Sequence, residues 1–99
     1  MIAFYRSACI APGKGGSAMT FARETAAYIK DKHGVDVQVG IPVGGNPNRV
    51  GWSVRYESLA ALEVSQTKML ADQKYMDMVA RGADNFIGGS VHDEIWRIL

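Results

Sequence analysis

Three observations predict an α+β chain with elements in the order βαββαβ. Two stretches carry apolar side chains at steps of three and four, the spacing of a helix with one buried face. Four other stretches are rich in β-branched and aromatic residues, and two of these alternate apolar with polar residues at a period of two. Clusters of glycine and proline separate the six segments.

Ile2 to Ile10 is the first strand, closed by Pro12, Gly13, Gly15 and Gly16. From Ser17 to His33, the residues Ala18, Phe21, Ala22, Thr25, Tyr28 and Ile29 lie on one helical face. Ser17 is the expected N-cap and Gly34 the left-handed residue that ends the helix. Val35, Val37, Val39, Ile41 and Val43 then alternate with Asp36, Gln38, Gly40 and Pro42, which predicts a second strand. Pro42 has no N–H to give to a ladder, so the end of this strand belongs at a sheet edge. Gly44 to Asn48 is a turn cluster, and Arg49 to Glu57 alternates again with Val50, Trp52, Val54 and Tyr56 on one side. The second and third strands therefore make a hairpin. Leu59, Leu62, Gln66, Met69, Gln73 and Met76 predict a second helical stretch to about Arg81, with Ser58 as N-cap and a local break and restart at Asp72. Gly82 suits a C-terminal cap, Gly88 and Gly89 mark a turn, and Ser90 to Leu99 is the last strand.

This order gives the ferredoxin-like split βαβ arrangement, in which right-handed crossovers place both helices on one face of a four-stranded antiparallel sheet. A sheet face that met water should read as polar. The first strand is instead apolar on both sides, with Ile2, Phe4, Ala8 and Ile10 opposing Ala3, Tyr5 and Cys9. In the last strand Trp96 and Ile98 oppose Val91, Ile95 and Leu99. A 99-residue chain buries only about two thirds of its unfolded surface. An identical subunit is the economical cover, so residues 1–99 are expected to form a single domain that pairs as a homodimer.

Composition excludes several functions. With 11 Lys plus Arg against 10 Asp plus Glu, all scattered, no field steers the chain to nucleic acid or an anionic membrane. No stretch approaches the ~20 apolar residues of a membrane span. Cys9 is the lone cysteine, which rules out an intrachain disulfide and a multi-thiolate zinc site and fits a reducing, cytoplasmic setting. Arg6 interrupts the apolar run at the N-terminus, unlike a secretory leader.

A strand running into the Pro12–Lys14 sequence PGK, a hairpin leading to RYESLAALE (Arg55–Glu63), then KMLADQKYMDM (Lys68–Met78) and a closing strand resemble the dimeric α+β barrel superfamily. The likeness is greatest to its NIPSNAP-like and antibiotic-biosynthesis-monooxygenase-like branches and spans nearly the whole chain. It implies sheets paired into a barrel. Its chemistry stays open, because that superfamily includes oxygenases, isomerases and haem-degrading enzymes.

The residues that can carry chemistry are few. Lys14 in APGKGGS joins a strand to a helix, but the spacing is neither a P-loop nor a dinucleotide fingerprint, which leaves a turn. Arg6 and Arg55 are charges in mid-strand that must pair, reach solvent or hold a carboxylate or phenolate ligand. Trp52 and Tyr56 share a strand face, while Tyr28 and Phe21 line the inner stripe of the first helix, as core packing or as walls of an aromatic cleft. His92, one alternation step from Glu94, is a candidate general base or a seam histidine. His33 reads as a C-terminal helix cap, and the methionines of the second helix as core filler. No metal site or cofactor is expected, and the second helix offers no histidine as an axial haem ligand. The resemblance implies an enzyme that binds a small aromatic or polyketide-like molecule and oxygenates it without metal or flavin, with catalytic candidates His92, Arg55 and Tyr56. The alternative is a non-catalytic module with a filled interior.

Overall fold

The computed structural model describes residues 1–99. It contains β1 (Ile2–Cys9), α1 (Gly15–His33), β2 (Gln38–Gly40), β3 (Arg49–Tyr56), α2 (Leu59–Leu70), α3 (Gln73–Gly82), a 3-10 turn (Ala83–Asn85) and β4 (His92–Arg97). The strands form one antiparallel sheet in the order β2-β3-β1-β4, the ferredoxin-like topology that the sequence predicts. β1 runs up the middle. Its residues Ile2 to Cys9 face Tyr56 to Arg49 of β3, and Ile2 to Ser7 face Arg97 to His92 of β4.

Boundaries follow local chemistry. α1 begins at Gly15 with Lys14 in the cap position, because the chain already reverses at Gly13, whose φ of +76° is left-handed. Ser17 is thus inside the helix, where its hydroxyl bonds to the Lys14 carbonyl and to Asn85 instead of capping. Gly34, at φ +69°, ends the helix as expected. β2 keeps only three of its nine predicted residues, paired with Gly51–Ser53 of β3. It lies at the sheet edge, where only β3 is available to hold it, and Pro42 falls two residues beyond its end.

The second helical stretch divides at Asp72. Ser58 caps α2 by accepting from the Ala61 N–H at 3.1 Å, and Asp72 caps α3 by accepting from the Tyr75 N–H at 3.2 Å. Gly82 does not cap. It closes α3 in an ordinary right-handed conformation (φ −84°), and the chain continues into the 3-10 turn. Ser90 precedes β4 instead of starting it, because its hydroxyl accepts from the Cys9 N–H at 3.0 Å and donates to the Ile87 carbonyl at 2.6 Å.

The core is thin and built largely from small residues. Eleven of 99 residues are buried, among them Ile2, Ala8, Ala18, Ala22, Ile29, Val50, Val54 and Leu62, and Val50 is the largest side chain that is fully enclosed. Ala18 and Ala22 let α1 lie close against β2 and β3. Thr25 is tolerated among them because its hydroxyl donates to the Phe21 and Ala22 carbonyls.

Strand alternation sorts the sheet into two faces. Tyr56 bonds to Ser65 of α2, which marks its face as the helix side. Val50, Trp52 and Val54 share that face, as do Ile2, Phe4, Arg6 and Ala8 of β1 and Asp93 and Ile95 of β4. The opposite, helix-free face carries Ala3, Tyr5 and Ser7, Ser53 and Arg55, and His92, Glu94 and Trp96. No helix is long and apolar enough to cross a membrane.

Candidate functional site

The helix side gathers Arg6, Trp52 and Tyr56 from the sequence-derived candidates. Arg6 stands directly between Trp52 on β3 and Asp93 on β4. Its Nε donates to Asp93 Oδ1 at 2.7 Å and its Nη2 to Asp93 Oδ2 at 2.8 Å, a two-point fork. The guanidinium also lies 5.5 Å from the centre of the Phe4 ring. Its hydrogen bond to Asp93 raises the Arg6 pKa and holds the Asp93 carboxyl below its usual range. A mid-strand charge is thereby accommodated by an ion pair, and both partners still reach solvent, at 42% and 39% side-chain exposure.

Tyr75 of α3 is the residue that sequence reasoning passed over. Burial raises its pKa, the Arg6 charge opposes that shift, and Tyr56 adds to it, so the three groups share one electrostatic neighbourhood. Its signal in the sequence was only its place on the restarted helix, three residues after the Asp72 cap. The Tyr56 hydroxyl donates to Ser65 Oγ at 3.0 Å. Trp52 meets Phe86 edge to face at 5.9 Å, and Phe86 meets Phe21 at 5.7 Å, so Phe21 packs behind this wall.

The other candidates lie elsewhere. Tyr28 points to the far end of α1, where its hydroxyl donates to Asp72 Oδ2 at 2.8 Å. His33 Nε2 meets the same oxygen at 2.8 Å, so His33 reaches across to α3 and does not cap its own helix. The Tyr28 hydrogen bond, reinforced by His33 and the Tyr75 N–H and opposed by burial, lowers the Asp72 pKa to about 2. Burial and Asp72 raise that of Tyr28.

His92 and Arg55 are both on the helix-free face, with the sheet between them and Trp52. Glu94 sits between His92 (3.4 Å) and the Trp96 indole N–H (3.0 Å) on this face. A hollow of about 680 Å³ opens there, lined in part by Tyr5, Gln38, Ser53, His92 and Trp96. A smaller one of about 360 Å³ lies between α1 and α3 beside Phe21 and Gly82. No group of three or more His, Cys, Asp or Glu side chains is close enough to hold a metal ion.

No family model and no curated protein sequence matches the chain. Solved structures do. A NIPSNAP domain protein from Burkholderia xenovorans superposes with a TM-score of 0.85 at 13% identity, over 100% of this chain and 95% of that one. A NIPSNAP family protein from Agrobacterium tumefaciens gives 0.81 at 20% identity, over 97% and 90%. A candidate antibiotic biosynthesis monooxygenase from Nitrosomonas europaea gives 0.74 at 13% identity, over 100% and 99%. At such identities likeness speaks for architecture alone. With its sheet order, its register and its two helical crossovers, the chain has the ferredoxin-like α+β fold of the NIPSNAP-like and antibiotic-biosynthesis-monooxygenase-like proteins.

Proposed function

We propose that this protein is a homodimeric, cytoplasmic α+β barrel subunit that binds a small planar organic molecule between its sheet and helices α2 and α3. One observation carries the ligand: on the helix side Phe4, Arg6, Trp52, Tyr56 and Tyr75 all keep partial access to solvent, while true burial is confined to small and aliphatic residues around them. Aromatic side chains that share a face with a charged fork and stay incompletely packed suit an apolar guest with one polar end.

The candidate monooxygenase that shares the fold makes oxygenase chemistry on that guest the second reading to test. That chemistry needs a group to take a proton, and the carboxylate nearest Arg6, Asp93, is tied to it by two hydrogen bonds. His92 is on the other face. Binding without turnover is therefore the reading that the chain's own side chains favour.

Amide shift mapping with a panel of planar aromatic compounds tests this. Perturbations should fall on β1, β3 and α3, and Trp52→Ala should weaken binding about fivefold, which corresponds to ~1 kcal/mol for one aromatic wall. Shifts confined to the helix-free face, or none at all, overturn the assignment. Oxygen uptake with the same compounds separates an oxygenase from a binding module.

A further inference from the structure

On the helix-free face the strand register sets Gly40 of β2 beside Gly51 of β3, and Gly51 beside Ser7 of β1. Two glycines paired across strands weaken a sheet, since glycine packs nothing there and loses the most freedom on folding. The chain itself has no need of either. Neither has a positive φ. A Cβ on Gly40 would meet nothing within 4 Å, and one on Gly51 would come no nearer than 3.6 Å, to the Arg6 carbonyl. Their shared effect is to deepen the hollow of about 680 Å³ on this face. Arg6, Val50 and Trp52 line it as well, although their side chains lie on the helix side, so its floor at this point is bare main chain. Bare main chain inside a strand marks a place where something from outside the chain comes close.

We infer that this notch receives Trp96 from a second copy of the chain, which rests on the homodimer proposed above. Trp96 is the largest exposed side chain on the same face, and its hydrogen bond to Glu94 holds the indole in one orientation before any partner arrives. The sheet order puts the notch towards one edge and Trp96 at the other. A twofold axis between facing sheets, parallel to their strands, lays β4 of each copy over β2 and β3 of the other, so one symmetry operation makes the insertion twice. An indole seated on bare main chain lets the two sheets close, whereas a side chain at Gly51 would hold them apart. The area agrees. The chain presents 6537 Å², roughly 1,000 Å² more than its 10.8 kDa warrants, which is one subunit's share of the ~2,000 Å² buried in a stable homodimer.

Sedimentation velocity over a dilution series reads the dimer dissociation constant of the wild type and three variants, each checked for folding by circular dichroism. Gly51→Leu fills the notch at a position that the chain itself leaves open, and it should weaken the dimer about tenfold or more. Trp96→Ala, which removes the anchor, should do the same. Combined, the two should weaken it little more than Trp96→Ala alone, because the leucine then meets no indole, whereas independent effects would multiply to about a hundredfold. A wild-type dimer that Gly51→Leu leaves unchanged, or a double variant in which the effects multiply, refutes the notch and leaves the homodimer standing. A wild type that stays monomeric refutes both, and Gly40 and Gly51 amides that then shift with the planar aromatic compounds would give the notch to a small molecule instead.

Discussion

A Cβ on Gly82 would lie 2.2 Å from two carbons of the Phe21 ring. The glycine is thus required by space, since its backbone is ordinary helix. Phe21 cannot swing aside at no cost, because Phe86 and then Trp52 are packed in series behind it. Gly82→Ala should destabilise the fold by about 1–3 kcal/mol, the usual cost of overpacking, even though alanine is the better helix former by ~1 kcal/mol. In a Phe21→Ala background the same change should cost almost nothing. A urea-denaturation double-mutant cycle measures the coupling, and a Gly82→Ala protein as stable as the wild type would show that the ring has room. The sequence marked Phe21 by periodicity, on an inner stripe, and Gly82 only as a glycine suited to cap a helix end. Their contact was illegible because it joins positions on α1 and α3 that no local pattern relates.

At the scale of elements, Asp72 does three things at once. It caps α3, divides it from α2, and ties both to the end of α1 through Tyr28 and His33. The break was legible, because an aspartate inside a helical period is a stop-and-restart signal. The tie was not, because its partners lie 44 and 39 residues away. Strand three was legible for a different reason: alternation assigns Val50, Trp52, Val54 and Tyr56 to one face whatever lies opposite. Alternation within β3 already puts Arg55 on the face opposite Trp52, and the register of β4 on β1 puts His92 there as well. The Asp72 tie has a pH signature. Its carboxyl titrates near 2 in the folded chain, below the 3.8 of an unperturbed aspartate. The folded state thus prefers the ionised form, and the stabilisation is complete above about pH 4 and disappears as pH falls towards 2. Asp72→Asn should lower the urea midpoint at neutral pH and flatten its decline between pH 4 and 2. A smaller slope remains from Asp93, whose pKa is also lowered. An unchanged acid limb in the variant would mean that the three-element tie does not contribute to stability.

The whole molecule exposes more surface than its mass warrants. A 10.8 kDa monomer ordinarily presents about 5,500 Å², whereas this chain presents 6537 Å², an excess of roughly 1,000 Å². Its radius of gyration of 13.4 Å likewise exceeds the ~12.6 Å expected for 99 residues. The helix-free face accounts for part of that surface: Tyr5 is 42% exposed and Trp96 56%, and Ile41 and Ile98 line the same hollow. An excess of about 1,000 Å² per subunit matches the ~2,000 Å² total of a stable homodimer interface. A second copy on this face would cover both sheets at once and exclude water from β1, which the thin core of one chain does not do. Sedimentation equilibrium at low micromolar concentration should therefore return twice the 10.8 kDa chain mass. Ile98→Asp places a charge on the covered face, and the variant should aggregate or unfold instead of giving a folded monomer, because a subunit with so few buried residues has little stability of its own. A monodisperse, cooperatively unfolding monomer of wild-type stability would sink the pairing, and with it the explanation of why one sheet carries apolar side chains on both its faces.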